Sequence, residues 1–237
     1  MRLIAILCLI GLAGCVPATE TGAPSRPAPT SPTTTPSMPT RAKVDQFVSV
    51  VNSVEPVAEN VCRSRTAAGT NCDFRIVVDD RPNQPVNAYQ TLDKSGRPII
   101  AFTLPMIAEV RNRDELAFVM GHEAAHHIAG HIPRQQQNAM AGAVLLGGLA
   151  TLGGASADAV RTAADLGASV GARSYSKEFE LEADALGTAI TRAAGYDPVR
   201  GAAFFTRIPD PGDRFLGTHP PNAQRIETVR RVDAQLR

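Results

Sequence analysis

The chain has 237 residues, a formal net charge of +1 and no tryptophan. Acids and bases are interleaved along it, and no basic cluster or aromatic ladder stands out, so nucleic acid is excluded as a partner.

The first predicted element is a leader rather than part of a fold. In "MRLIAILCLIGLAGC" Arg2 precedes an apolar run from Leu3 to Leu12 and then small residues, the plan of a secretory signal whose run is too short to span a bilayer. Leu12-Ala13-Gly14-Cys15 also resembles the bacterial lipobox. That resemblance implies that residues 1–14 are a lipoprotein signal peptide, cut away so that Cys15 carries lipid; the alternative is an ordinary cleaved signal that happens to contain a cysteine. Val16, where an aspartate would signal otherwise, implies by the same resemblance the periplasmic face of the outer membrane. From Cys15 to Thr40 the chain is rich in Pro, Thr and Ser and too poor in large apolar residues to fold, which predicts a disordered tether. At about 3.1 Å per residue in a polyproline-like state it can reach roughly 75 Å from the lipid. Residues 41–237 then form a domain of the size that supports one hydrophobic core.

Val44, Phe47, Val48, Val51, Val54, Ala58 and Val61 recur at intervals of three and four, predicting an amphipathic first helix with Pro56 inside it. Cys8 leaves with the signal and Cys15 takes lipid, which leaves Cys62 and Cys72 in an oxidising compartment. A disulfide between them is the economical reading; two buried thiols are the alternative, and a metal site there lacks neighbouring ligands. "FRIVVDD" from Phe74, the stretch from Asn87 to Leu92 and "RPIIAFT" read as three short strands, expected to form a largely antiparallel meander. "LPMIAEVRN" predicts a short helix, and Asp114 is expected to cap the next, running through "ELAFVMGHEAAHHIAGH" until Pro133 stops it. Gln135 to Ala157 carries no charged residue and several glycine pairs. Two readings stay open for it, a buried or lid-forming hairpin and a membrane contact, because glycines make a poor autonomous helix.

The chemistry sits in His122-Glu123-Ala124-Ala125-His126. Residues four apart on a helix lie about 40° apart, so His122 and His126 can grip one ion, while Glu123 lies about 100° further round, where it can take a proton from water at that ion. The alternative is a helix with chance histidines, and a third ligand decides between them. His131 is out of register for a third histidine, since that pattern needs its last histidine at Ile132 and its glycine at Ala129. On a continuing helix His131 points away, and His127 fails on the same geometry, so both read as supporting or surface residues.

Glu180 and Asp184 in "SYSKEFELEADALGTAI" are the better candidates, sharing a face on a helix whose Ala183, Ala185 and Gly187 permit close packing. Glu180 completes a His, His, Glu set with an open fourth position, and Asp184 can accept the other ring N–H of a liganding histidine. Glu178 and Glu182 compete, but each lies about 160° from Glu180 and reads as a solvated charge.

Asn87-Ala88, "DELAFVMGHEAAHHIAGH", "SYSKEFELEADALG" and "THPPNAQRI" together resemble the HtpX-like and CAAX-prenyl-protease-like zinc metallopeptidases, over most of residues 74 to 230. The resemblance implies Glu180 as third zinc ligand, in agreement with the helical phase, His131 as a supporting residue, and His219 and Arg225 near the metal. His219 can hydrogen-bond the tetrahedral intermediate or occupy the fourth site and silence the enzyme; Arg225 can position such a group or a substrate carbonyl. The alternative for His219 is a loop histidine before two prolines. The fold expected is α+β, a mostly helical zincin-like metallopeptidase domain with a small, largely antiparallel three-stranded sheet. The function expected is a one-zinc endopeptidase of the bacterial envelope, lipid-anchored through Cys15, with Glu123 as base and polypeptide substrates pairing along "RPIIAFT" as edge strand. A quality-control role on unfolded envelope proteins fits that position. The rival is a zinc-bound chaperone or assembly factor with a closed site; a third reading is a peptidase dedicated to one envelope substrate.

Overall fold

A computed structural model describes residues 38–174, 176–210, 212 and 219–237. The signal peptide, Cys15 and the tether up to residue 37 lie outside the described residues.

Helix α1 (Arg41–Arg65) starts where the Thr40 side chain accepts the Lys43 N–H, and Pro56 sits inside it. Its buried stripe is Phe47, Val50, Val54, Ala58 and Cys62. Val44 and Val48, expected on that stripe, are 43% and 51% exposed. A run this rich in valine fits more than one stripe, and packing selects the one that carries Phe47 against Phe102, their rings 5.2 Å apart. A disulfide joins Cys62 to Cys72, with Cα atoms 5.7 Å apart, and so pins the end of α1 to the start of the sheet.

Strands β1 (Arg75–Asp79), β2 (Ala88–Leu92) and β3 (Pro98–Thr103) match the expected segments, but their order is β1-β3-β2. β3 pairs parallel with β1 and antiparallel with β2, so the sheet is mixed rather than a meander, and β3 is its centre rather than its edge. The cause is hydrophobic content: Ile100, Ala101, Phe102 and Thr103 are buried in succession, and a strand covered on both faces takes the middle. The half-exposed β1 and β2 are left as edges.

Helix α2 (Leu104–Glu109) follows directly, and α3 (Arg113–Ile128) begins at Asn112, whose side chain accepts the Glu115 N–H; Asp114 sits in the first turn instead of capping it. α3 is the central rod, touching α1, β2, β3 and later helices. It ends before the expected Pro133. Gly130 takes φ 66°, a left-handed state that glycine adopts without strain, and α4 (His131–Leu152) departs in a new direction with Pro133 in its first turn.

α4 and α5 (Ala157–Arg173) form a hairpin, so the glycine-rich stretch is helical after all. A Cβ placed on Gly142 would lie 2.0 Å from the Gly167 carbonyl oxygen; the glycines are where two backbones touch, and that packing offsets their poor propensity. The hairpin is not buried: Met140, Val144, Leu145, Leu149 and Leu152 are exposed on α4. No described helix is long and apolar enough to cross a membrane.

Helices α6 (Ser176–Ala193) and α7 (Pro198–Ala202) pack on α3, and α8 (Asn222–Gln235) covers α6, α7 and the 3-10 turn at Ala203–Thr206.

Candidate metal centre and active site

The crossing of α3 and α6 sets the site. A Cβ on Gly187 would meet the His122 backbone nitrogen at 2.8 Å, and one on Gly121 would meet the Gly187 carbonyl oxygen at 2.9 Å. Two glycines facing each other bring the helices to backbone contact next to His122, and Glu180, two turns earlier on α6, comes under both histidines.

The Nε2 atoms of His122 and His126 lie 3.0 Å apart. Glu180 Oε2 is 3.6 Å from the first and Oε1 is 3.5 Å from the second. A tetrahedral ion bound at about 2.1 Å requires donors about 3.4 Å apart, so the three side chains fit one metal ion. Among the described residues this is the group of His, Cys, Asp or Glu side chains able to hold one. Burial and the neighbouring His122 bring the His126 imidazole down to about 3, so it is neutral and its lone pair is free to bind. Burial alone would raise Glu180, yet the His219 hydrogen bond and the charges of His122 and Arg225 hold its carboxyl well below the usual range.

Each histidine is also held from behind. His122 Nδ1 is 3.0 Å from Asp184 Oδ1. Asp184 is fully buried, and Arg225 donates to both its oxygens at 2.7 Å, through Nε and Nη2. Arg225 also stacks on Phe205 at 3.9 Å and lies 3.4 Å from Glu180 Oε2. Its guanidinium is thus engaged by the ligand set itself. His131 is buried, 2.8 Å from His126 through the two Nδ1 atoms, so the turn at Gly130 swings it back toward the site that a continuing helix would have carried it past. His127 is apart from the cluster, bonded to the Asn71 carbonyl and packed edge-on to Phe74.

Glu123 is half-buried and faces the cavity. Burial pushes its carboxyl up, against the pull of His122 and a backbone hydrogen bond from Gln90. Gln90 of edge strand β2 lines the same cavity as Glu123. His219, its side chain 53% exposed, places Nδ1 3.2 Å from Glu180 Oε2. The cavity of about 780 Å³ runs from β2 past the histidines to Phe204, Phe205 and Arg207; the hairpin contributes only its root, His131, Ile132 and Gln135.

Two features escaped sequence reading. Glu182, expected as a solvated charge, accepts from His131 Nε2 at 3.1 Å and from Arg134 at 2.7 Å. Arg207, on the cavity wall, pairs through both terminal nitrogens with buried Glu115 at 2.7 Å. Both pairs depend on backbone turns, at Gly130 and in the 3-10 turn after α7, that helical phase alone does not reveal.

Comparison with known proteins agrees with this geometry. The beta-barrel assembly-enhancing protease of Vibrio cholerae serotype O1 is 31% identical over 132 residues, which cover 52% of this chain. The match takes in 26% of that relative, so this chain spans about a quarter of its length. The profile of Peptidase family M48 matches residues 49–233, a stretch that holds the His122, His126 and Glu180 cluster and both faces of the cavity. The chain belongs to peptidase family M48.

Proposed function

We propose that the chain is a one-zinc endopeptidase of the bacterial cell envelope, anchored by lipid on Cys15 and carried on the Pro/Thr-rich tether of residues 15–40, that cleaves unfolded or misassembled envelope proteins. The observation that carries the hydrolytic part is Glu123 beside the two-imidazole, one-carboxylate cluster, with an open sheet edge leading to it. That donor set suits zinc. A zinc ion held there supplies Lewis acidity and a lowered pKa for water.

The protein's own residues do the rest. An extended substrate pairs with the free edge of β2, the strand that meets Glu123 at Gln90, and backbone pairing makes few demands on side chains. Water adds to the scissile carbonyl carbon as Glu123 takes its proton, and Glu123 returns that proton to the amine as the C–N bond breaks. His219 hydrogen-bonds the oxyanion as it forms. The name of the Vibrio relative, which speaks of β-barrel assembly, supports the envelope setting.

The contact of His219 with Glu180 also supports the rival reading, a metal-bound assembly factor whose site His219 keeps closed. Cleavage of a denatured, disulfide-free envelope protein by the zinc-loaded chain and by its Glu123→Gln variant separates the two. Cutting by the parent alone supports the peptidase. If neither cuts while both hold zinc, the closed site takes its place, and His219→Ala should then release activity.

A further inference from the structure

The two ligand histidines are backed in different ways. Asp184, a carboxylate, stands behind His122, whereas behind His126 stands another imidazole, and behind that a carboxylate on α6. An imidazole that presents its Nε2 lone pair to a metal carries its proton on Nδ1. For His126 that proton points at His131 Nδ1, 2.8 Å away. The contact is a hydrogen bond only if His131 Nδ1 is bare, which puts the His131 proton on Nε2. Nε2 is 3.1 Å from Glu182 Oε2, so the geometry closes with every donor facing an acceptor: His126 to His131 to Glu182. The opposite tautomer of His131 sets two N–H groups face to face.

The chain of bonds is built to hold one orientation. The His131 ring is stacked on Phe179 at 4.6 Å and 10°, and Arg134 covers Phe179 at 4.3 Å while donating to Glu182 at 2.7 Å. Glu182 is 47% exposed in its side chain, which explains why its position in the sequence looks like that of any solvated acid.

We propose that Glu182 is a positioning residue of the metal centre: by accepting from His131 Nε2 it selects the His131 tautomer that accepts from His126, and so fixes the ring of that ligand. Partners behind metal-bound histidines are typically worth 10- to 100-fold in metal affinity. The inference rests on the metal reading of the site given above.

The test is zinc affinity of the full chain by competition with a chromogenic chelator, together with imidazole nitrogen spectra of the metal-free protein, in which no zinc fixes the His126 proton. Glu182→Gln keeps the size and an acceptor oxygen but removes the charge. It is expected to weaken zinc binding about tenfold, and to replace a single Nε2–H tautomer of His131 by a mixture. In a His131→Ala background the same substitution should change affinity no further. Arg134→Met, which breaks the ion pair but leaves the His131 contact, should keep the single tautomer. Zinc affinity unchanged by Glu182→Gln, or lowered equally with and without His131, overturns the relay. A parent chain that binds no zinc overturns the metal reading with it, so the two failures are told apart.

Discussion

Glu123 stands half-buried beside the cluster of His122, His126 and Glu180, and burial raises its affinity for a proton. Glu123→Gln should leave zinc content and thermal midpoint unchanged while slowing peptide cleavage by about 10²- to 10⁴-fold, as read by turnover and metal analysis on the same sample. Asp184 behaves differently because Arg225 depends on it. Asp184→Asn leaves a buried guanidinium short of its counter-charge, and urea titration of metal-free protein near neutral pH should show a loss of about 3–5 kcal/mol. Burial raises the Asp184 carboxyl, but Arg225 outweighs it and holds the group below its ordinary 3.8. Its contribution is therefore complete above that value and is lost as pH falls through the lower folded-state value. The gap between parent and Asn variant should narrow as pH falls below the ordinary carboxyl value of 3.8. At this scale the sequence was legible wherever spacing is local: His122, Glu123 and His126 share one helix, and Glu180 and Asp184 another. His131 was half legible, since its usefulness depends on the backbone state of Gly130 next to it.

Among elements, the contact of α3 with α6 decides whether the ligands meet. Gly187→Ala places a methyl within 2.9 Å of the His122 nitrogen and Cα, with backbone rather than a flexible side chain as the obstacle. The helices must part, which should cost about 1–3 kcal/mol and lower zinc affinity, measurable by denaturant titration and chelator competition. The small residues of α6 announced a close crossing in the sequence. Strand order was not announced. Three short segments of similar length admit several pairings, and what put β3 in the centre was burial on both faces, a property of the whole packing. The glycines of the hairpin misled in the same way. Alone they weaken a helix, but Gly142 and Gly167 allow a contact that no bulkier pair permits.

For the molecule as a whole, two cross-links tie the elements around the core together. The Cys62–Cys72 bridge closes a short loop at the end of α1, and the metal cluster joins α3 to α6. Reduction of the disulfide should lower stability by about 3 kcal/mol if loop-closure entropy dominates. Zinc in thousandfold excess over its dissociation constant should add about 4 kcal/mol. Because His127, next to His126, bonds the carbonyl of Asn71, next to Cys72, chemical denaturation with each removed singly and together should give losses that depart from additivity.

The hairpin leaves α3 just beyond His126 and re-enters at α6 just before Glu180, and at its root the backbones of Asn138 and Gly171 already touch. The ligands are therefore placed by the crossing at Gly121 and Gly187, while everything from that root outward is an excursion from one point of the scaffold back to the same point. The length of sequence separating the second histidine from the glutamate is thus free to drift by insertion or deletion without disturbing the site. A search for kindred proteins that fixes that separation would pass over them, whereas one that treats the two motifs as independent words would find them.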